Sequence, residues 1–249
     1  MIRIAIFASG AGSNAQQIIT YFNHRSGSSE KGPEQAIKTI SDQDVMSVSP
    51  VSSGQGSPAH LPEKSPGDGR NEFSRSPKAG IAVTLVVCNK PEAGVMDIAR
   101  KEGIETLLIE KETFFRGGAY VDELKKRKID FIVLAGFLWK APDPLLEAFP
   151  RSIINIHPAL LPKYGGKGMY GSFVHEAVIN AREETSGITI HYVDEQYDHG
   201  DIIFQANCRV DETDTPQTLA QKIHTLEHEH YPRVIEMEIN RQLANLADH

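Results

Sequence analysis

Short apolar runs alternate with helical segments along most of this chain, and that alternation limits the possible folds more than any other feature. The predicted strands cover 2–8, 81–88, 105–109, 129–135, 152–155, 187–193 and 201–210, and the predicted helices cover 15–22, 94–102, 119–127, 142–149, 172–182 and 215–243. Strand–helix–strand repeats with short connections form right-handed crossovers between parallel strands. We therefore predict an α/β fold, with a mostly parallel twisted sheet flanked by helices and a Rossmann-like N-terminal half.

Residues 25–79 interrupt this alternation. Of these 55 residues 12 are Ser, 6 are Gly and 6 are Pro, and Phe73 is the only aromatic residue. Such a composition cannot bury enough apolar area to offset the entropy lost on ordering. We predict a disordered Ser/Gly/Pro-rich insertion at 25–79 within one domain that spans 1–249.

The charge balance and the cysteines limit the possible partners. A net charge of -7 argues against a nucleic-acid or anionic-membrane surface, because such surfaces concentrate Lys and Arg. No run approaches the roughly 20 apolar residues of a membrane span. Cys88 and Cys208 lie far apart in apolar runs, which predicts two buried thiols in a reducing compartment. We expect a cytoplasmic monomer or homodimer that acts on small-molecule substrates and contacts neither nucleic acid nor membrane.

A glycine-rich turn follows the first predicted strand. Residues 9–14 read S-G-A-G-S-N and lead directly into a helix. Glycines let backbone N–H groups close around an anion at the positive end of a helix. We predict that Gly12, Ser13 and Asn14 bind a phosphate, with Ser13 and Asn14 adding side-chain donors at the helix start. The alternative is a turn that binds nothing.

The same turn also fits a dinucleotide fingerprint, with Gly10, Gly12 and Ala15 in the required positions. A dinucleotide site needs an acidic residue at the end of the second strand to hold the ribose. The second predicted strand instead ends in V-C-N-K at 87–90. This favours a phosphate cradle over a nicotinamide cofactor site.

Two polar residues stand at the end of the strand that starts at residue 152. Asn155 and His157 are two apart in an extended segment, so they face the same way, and Pro158 ends the strand. An amide donor beside an imidazole suits a reaction that forms an oxyanion and moves a proton. The alternative is a turn-capping Asn and a structural His. In a parallel sheet both this pair and the glycine turn lie at the carboxyl edge, in one crevice.

Two loops complete the predicted crevice. The turn at 194–200, D-E-Q-Y-D-H-G, is acidic, and one of its carboxylates could orient His157 and raise its pKa, although spacing does not select which one. The segment 165–171 has four glycines, which is typical of a loop that moves over a ligand and equally of a flexible connector.

Taken together, five motifs carry a family resemblance. They are S-G-x-G-S-N at 9–14, L-A-G-F at 134–137, N-I-H-P-x-L-L-P-K-Y at 155–164, D-x-G at 198–200 and T-x-E-H at 225–228. In this combination the chain resembles the phosphoribosylglycinamide formyltransferases, the folate-dependent enzymes of purine synthesis. The resemblance covers residues 1–24 and 80–240 and implies the formyltransferase fold.

The resemblance implies transfer of a formyl group from the co-substrate 10-formyltetrahydrofolate to the glycyl amine of glycinamide ribonucleotide, a step of de novo purine (IMP) biosynthesis. Asn155, His157 and Asp198 match the catalytic trio. In the reaction so implied, Asn155 and a protonated His157 stabilise the tetrahedral oxyanion. Asp198 keeps His157 charged and accepts the proton of the amine. The reaction calls for no metal and no covalent intermediate.

The resemblance also implies the binding residues. The substrate phosphate lies on Gly12, Ser13 and Asn14 with help from His224, and Glu227 accepts from the ribose hydroxyls. The folate residues so implied are Phe137, Leu138, Trp139, Val193 and Asp194. Leu138 and Trp139 replace a Met-Arg pair of familiar members, so we expect Arg116 and Lys140 to substitute in holding the glutamate tail.

Three other functions remain open at this point. A formyltransferase acting on methionyl-tRNA would need an added RNA-binding domain and a basic surface. A formyltetrahydrofolate hydrolase would carry a regulatory domain and a second His in place of Pro158. A non-catalytic nucleotide sensor could use the glycine turn without needing Asn155, His157 and Asp198 together.

Overall fold

The computed structural model describes residues 1–24, 80–116 and 118–247. The insertion predicted at 25–79 lies outside those residues, so the single-domain organisation stays a prediction. The strands are β1 (Ile2–Ala8), β2 (Ile81–Cys88), β3 (Glu105–Leu108), β4 (Phe131–Leu134), β5 (Ile153–His157), β6 (Thr185–Tyr192) and β7 (Ile202–Arg209). The helices are α1 (Ser13–Ile19), α2 (Gly94–Lys101), α3 (Lys111–Arg116), α4 (Ala119–Lys126), α5 (Asp143–Ala148), α6 (Ser172–Asn180) and α7 (Pro216–Ala247), and a π-helical turn, Thr20–His24, follows α1.

The described residues form one seven-stranded sheet in the order β3-β2-β1-β4-β5-β6-β7. Strands β1 to β5 pair in parallel, whereas β6 pairs antiparallel with both β5 and β7. This confirms the predicted mostly parallel α/β fold. After β1 the chain first builds β2 and β3 on one side and then β4 and β5 on the other. The strand order reverses between β1 and β4, which is where open α/β sheets form a ligand crevice.

The core has two apolar layers, one on each face of the sheet. Along β1, Ile4 and Ile6 pack into one layer with α1, α2 and α7, while Ala5 and Phe7 pack into the other with α4 and α5. A strand that is covered on both faces has an unbroken apolar sequence, because both sets of alternating side chains are buried. The two layers fix the position of the β1 and β4 ends, from which the crevice is built.

Helix α7 ties the sheet together next to the crevice. The buried hydroxyl of Tyr231 donates to the carbonyl oxygens of Leu134, at 2.9 Å, and Ile154, at 3.3 Å. Leu134 is the last residue of β4, and Ile154 directly precedes Asn155 in β5. The helix passes through Pro232 and ends at Ala247, beyond the predicted end at 243. One aromatic side chain therefore links the end of β4 to the residue of β5 that precedes Asn155.

Several local predictions need correction. Helix α3 and the π-helical turn were not predicted. Ser172, predicted to cap α6, is its first residue; Gly171 holds the cap position, and no side chain among the described residues caps this helix. Cys88 is buried as predicted, but Cys208 is only half-buried. No helix in the described part of the chain has the length and apolar composition needed to cross a membrane.

Candidate active site

A cleft of about 700 Å³ opens at the carboxyl ends of β1, β4 and β5. The predicted site residues that line it are Gly12, Ser13, Asn14, Phe137, Leu138, Trp139, Lys140, Asn155, His157, Val193, Asp194, Asp198, His224 and Glu227. The structure thus brings the glycine turn, the N-x-H strand end and the acidic turn to one crevice, as the sheet topology required.

The glycine turn is shaped by contact with α2. Gly12 has a φ of 84°, and a Cβ there would lie 2.8 Å from the Cβ of Val95, so only glycine fits without displacement. Ser9 fixes the turn to the loop after β4, because its N–H donates to Gly136 O at 3.1 Å and its Oγ accepts from the Leu138 N–H at 3.1 Å. The turn is therefore a rigid wall of the cleft.

Asn14 connects the glycine turn to α7. Its Nδ2 donates to Glu227 Oε2 at 3.0 Å, across 213 residues of sequence. Burial raises the pKa of Glu227, and the Asn14 hydrogen bond opposes that shift. Asn14 thus directs one side-chain N–H at Glu227, and the role of Ser13 and Asn14 as phosphate donors stays a prediction.

His224 lies on the same stretch of α7 as Glu227 and also lines the cleft. Its ring stacks on that of His228, with a centroid distance of 6.2 Å and an interplanar angle of 10°. The predicted phosphate and ribose residues therefore share one end of the cleft.

His157, at the end of β5, is the centre of the predicted chemistry and is only 3% exposed. Its Nε2 donates to the backbone carbonyl of Tyr164 at 2.8 Å. Its Nδ1 lies 3.4 Å from Asp198 Oδ2, longer than an ordinary hydrogen bond. Because a carbonyl oxygen only accepts, Nε2 carries the proton of the neutral ring, and Nδ1 has a free lone pair facing the carboxylate.

Asp198 is the carboxylate of the acidic turn that lies beside His157. Its Oδ2 also accepts from the Gly166 N–H at 2.9 Å, and its Oδ1 lies 3.7 Å from His191 Nε2. Asp194, by contrast, pairs with His199 at 2.9 Å near the surface. Asp198 thus sits between two imidazoles, with a backbone donor fixing one oxygen.

Burial sets the ionisation of the central pair. Desolvation lowers the pKa of His157 below its usual 6.5, even though the charge of Asp198 and the Tyr164 carbonyl act to raise it. Asp198 thus acts on the pKa of His157 in the predicted direction, but burial outweighs it and the net pKa is lowered. Burial would raise the pKa of Asp198, but its interactions with His191, with His157 and with the Gly166 N–H outweigh burial and lower it. At neutral pH the pair is a neutral imidazole beside a carboxylate.

Asn155 is oriented by a residue that the sequence did not single out. Its Nδ2 donates to His191 Nε2 at 3.1 Å, and His191 Nδ1 donates to the Tyr192 carbonyl at 2.7 Å. Asn155 and His191 are direct partners in the antiparallel pairing of β5 and β6. One N–H of the Asn155 amide is thus fixed on His191, and the second, for which the described residues show no partner, can bind a ligand in the cleft.

His175 is a second residue that the sequence analysis missed. It lies on α6, lines the cleft and is 4% exposed. Desolvation and the neighbouring His224 and His157 lower its pKa to about 4. Its Nδ1 has no hydrogen-bond partner among the described residues. A neutral imidazole therefore stands between the predicted phosphate end and His157, and only its position on a helix facing the cleft could have indicated it.

The opposite end of the cleft carries the predicted folate residues. Trp139 packs against Phe114, Phe115 and Phe137, with ring centroids 5.7, 5.8 and 6.1 Å away. Lys140 lines this end of the cleft. Arg116 is not one of the described residues that line it; it lies 3.6 Å from Glu112 on α3, with both side chains exposed.

The part of the chain that the structure describes has no group of three or more His, Cys, Asp or Glu side chains arranged to hold a metal ion. The polar groups that Asn155, His157 and Asp198 bring to the cleft are an amide donor, an imidazole and a carboxylate.

Comparisons with known proteins agree with the geometry. A family model described as formyl transferase matches residues 70–235. The chain is 44% identical over 158 residues to the chloroplastic phosphoribosylglycinamide formyltransferase of Arabidopsis thaliana, covering 61% of this chain and 54% of that protein. It is 38% identical over 158 residues to the phosphoribosylglycinamide formyltransferase of Bacillus subtilis, covering 62% and 78%. The crystal structure of the enzyme of that name from Bacillus halodurans superposes with a TM-score of 0.66 at 29% identity, over 94% of each chain. The chain matches about half the length of the plant relatives, 54% and 51%.

Proposed function

The chain belongs to the formyl transferase family, and we propose that it transfers the formyl group of 10-formyltetrahydrofolate to the glycyl amine of glycinamide ribonucleotide in de novo purine biosynthesis. The observation that carries this proposal is the meeting of Asn155, His157 and Asp198 in a cleft whose other end is the Gly12 turn. The cytoplasmic location and the monomeric or dimeric state stay predictions.

The ligand arrangement follows the two ends of the cleft. The substrate phosphate lies against the backbone of Gly12, Ser13 and Asn14 with His224 beside it, and Glu227 accepts from the ribose hydroxyls. The folate lies along Phe137 to Lys140 and against Val193 and Asp194. This arrangement leaves the amine and the formyl carbon to meet beside Asn155 and His157.

The reaction starts when the neutral amine attacks the formyl carbon and a tetrahedral oxyanion forms. The N–H of Asn155 that is not bonded to His191 stabilises this oxyanion, and a donor so placed contributes about 3–4 kcal/mol to the transition state. The lone pair on His157 Nδ1 accepts the proton that the amine loses, since the neutral ring is the form that burial favours.

Asp198 stabilises the imidazolium that results, because its carboxylate lies 3.4 Å from Nδ1. The same proton then passes from Nδ1 to the folate nitrogen as the bond between that nitrogen and the formyl carbon breaks. His157 returns to its neutral form, and the products are formylglycinamide ribonucleotide and tetrahydrofolate.

The test is to measure folate product formation with and without glycinamide ribonucleotide. We expect turnover only when the ribonucleotide is present. Turnover in its absence would identify a formyltetrahydrofolate hydrolase, and binding of the ribonucleotide without turnover would identify a nucleotide sensor.

The phosphate contact has its own test. The acceptor that lacks the phosphate, glycinamide riboside, should react with a strongly raised KM, because the Gly12 turn would then contribute nothing to binding. An unchanged KM would remove the glycine turn from the proposed site.

A further inference from the structure

The turn at residues 164–166 has an unusual backbone. Tyr164 adopts a φ of 57° and Gly166 a φ of 96°, both in the left-handed region. A Cβ on Gly165 would lie 2.5 Å from Leu161 Cδ2 and 3.2 Å from the Cβ of Asp198. A non-glycine residue in this region costs on the order of 1–3 kcal/mol and persists only where its surroundings impose it.

Two backbone groups of this turn reach the catalytic pair. The carbonyl of Tyr164 accepts from His157 Nε2 at 2.8 Å, and the N–H of Gly166 donates to Asp198 Oδ2 at 2.9 Å. The turn therefore contacts both members of the pair, one through an acceptor and the other through a donor.

The side chain of Tyr164 holds the turn in this shape. Its hydroxyl donates to Glu183 Oε1 at 2.9 Å, and its ring packs against the core. Glu183 follows α6 and is joined to it through its own N–H, which donates to the Val178 carbonyl at 3.3 Å. Lys163 Nζ donates to the same Glu183 oxygen at 2.8 Å but makes no contact of its own with the catalytic pair among the described residues.

This arrangement determines whether the proton of neutral His157 lies on Nε2 or on Nδ1. A neutral imidazole beside a carboxylate would otherwise place its proton on the nitrogen facing that carboxylate, because the charge favours a donor there. The Tyr164 carbonyl competes at the opposite nitrogen, and its shorter distance, 2.8 Å against 3.4 Å, favours the proton on Nε2. The free lone pair on Nδ1 depends on this competition.

We propose that Tyr164 and Glu183 are positioning residues, whose hydroxyl–carboxylate bond holds the turn so that its carbonyl keeps the proton of His157 on Nε2 and leaves Nδ1 to exchange the proton of the reaction. The catalytic part of this proposal rests on the proposed function. The tautomer part stands on the geometry of the free protein.

The tautomer is measured directly by long-range ¹H–¹⁵N correlation spectra of the protein labelled in histidine, recorded without ligand at a pH where His157 is neutral. We expect His157 to show a protonated Nε2 and a bare Nδ1. In Tyr164→Phe, which keeps the ring, and in Glu183→Leu, which removes the acceptor, the two nitrogens should shift toward the averaged values of a mixed tautomer. Lys163→Met is the matched control, since it removes the other donor to Glu183, and it should keep the wild-type spectrum.

Kinetics provide the second readout. In Tyr164→Phe and Glu183→Leu we expect kcat to fall about tenfold with the KM of the ribonucleotide unchanged, because the lost interaction acts on proton transfer and not on binding. Lys163→Met should retain its kcat. Melting curves of all variants identify any loss of folding.

The outcomes separate the two proposals. A wild-type His157 with its proton on Nδ1, or a Tyr164→Phe variant with both an unchanged spectrum and an unchanged kcat, overturns the positioning role. A wild-type protein with the predicted tautomer but no turnover contradicts the proposed function and leaves the tautomer assignment standing.

Discussion

In the proposed mechanism, replacing Asp198 by Asn removes the charge that stabilises the His157 imidazolium and changes little else. Asn is nearly the same size and tolerates the left-handed backbone found there, where φ is 54°. Its amide oxygen can still accept from the Gly166 N–H. At 3.4 Å and an effective dielectric constant of about 20, the lost charge–charge interaction is about 5 kcal/mol. Solvent reduces this value, since 11% of the Asp198 side chain is exposed.

We therefore expect kcat to fall roughly 10³-fold in Asp198→Asn, with the KM of the ribonucleotide nearly unchanged. The assay follows the absorbance of the folate product at saturating substrates, and circular dichroism checks the fold. Asp201→Asn is the matched control, because Asp201 lies nearby but pairs with Arg151 at the surface, and it should keep the wild-type kcat. A folded Asp198→Asn variant with kcat within about tenfold of wild type would refute the role of this charge.

Three further predictions follow from burial and backbone geometry. The kcat should stay level through neutral pH and fall only below pH 6.5, because the pKa of His157 is lowered and the ring is therefore neutral at pH 6.5 and above. A kcat–pH profile whose acidic limb lies above pH 6.5 would contradict this. The unfolded state protonates His175 more readily than the folded state, in which its pKa is about 4. The free energy of unfolding should therefore drop by up to about 3 kcal/mol as pH falls from 6.5 to about 4. Denaturant titrations should show a smaller drop over this pH range in His175→Leu than in the wild-type protein. Gly12→Ala should cost about 1–3 kcal/mol of stability and raise the KM of the ribonucleotide, which melting curves and steady-state kinetics test; an unchanged Tm and KM would show that the turn tolerates a side chain.

The main strands could be predicted from the sequence because their apolar runs are long and buried on both faces. The bounds predicted for the first two strands, 2–8 and 81–88, are those of β1 and β2. Helix α3 was missed because it has six residues and buries only Phe114, too few for a helical period to show. Helix α5 also has six residues, but it was predicted because a proline marks its start. Local periodicity thus predicts the sheet and its parallel class, but it does not by itself reveal a six-residue helix such as α3.

The candidate site was predictable where its residues lie close in sequence or in a motif. Asn155 and His157 share one strand end, whereas His191 joins them only through the pairing register of β5 and β6. A single sequence does not specify that register. The net direction of the pKa shift of His157 could not be predicted for a related reason. A nearby carboxylate can be inferred from a motif, but the extent of burial cannot.

The non-glycine residues with a positive φ fall into two groups, those that end a helix and those that contact His157. In the described residues these are Lys128, Arg151, Tyr164, Arg182 and Asp198. Lys128, Arg151 and Arg182 lie just after helices α4, α5 and α6, where a left-handed residue commonly ends a helix. Tyr164 and Asp198 follow no helix, and both contact His157. Glycine would relieve the strain at either position, but it would remove the phenol that anchors the turn or the carboxylate that faces Nδ1. The strain is therefore retained where the backbone shape and the side chain are both required, and hydrogen bonds from the Tyr164 hydroxyl to Glu183 and from the Gly166 N–H to Asp198 offset it.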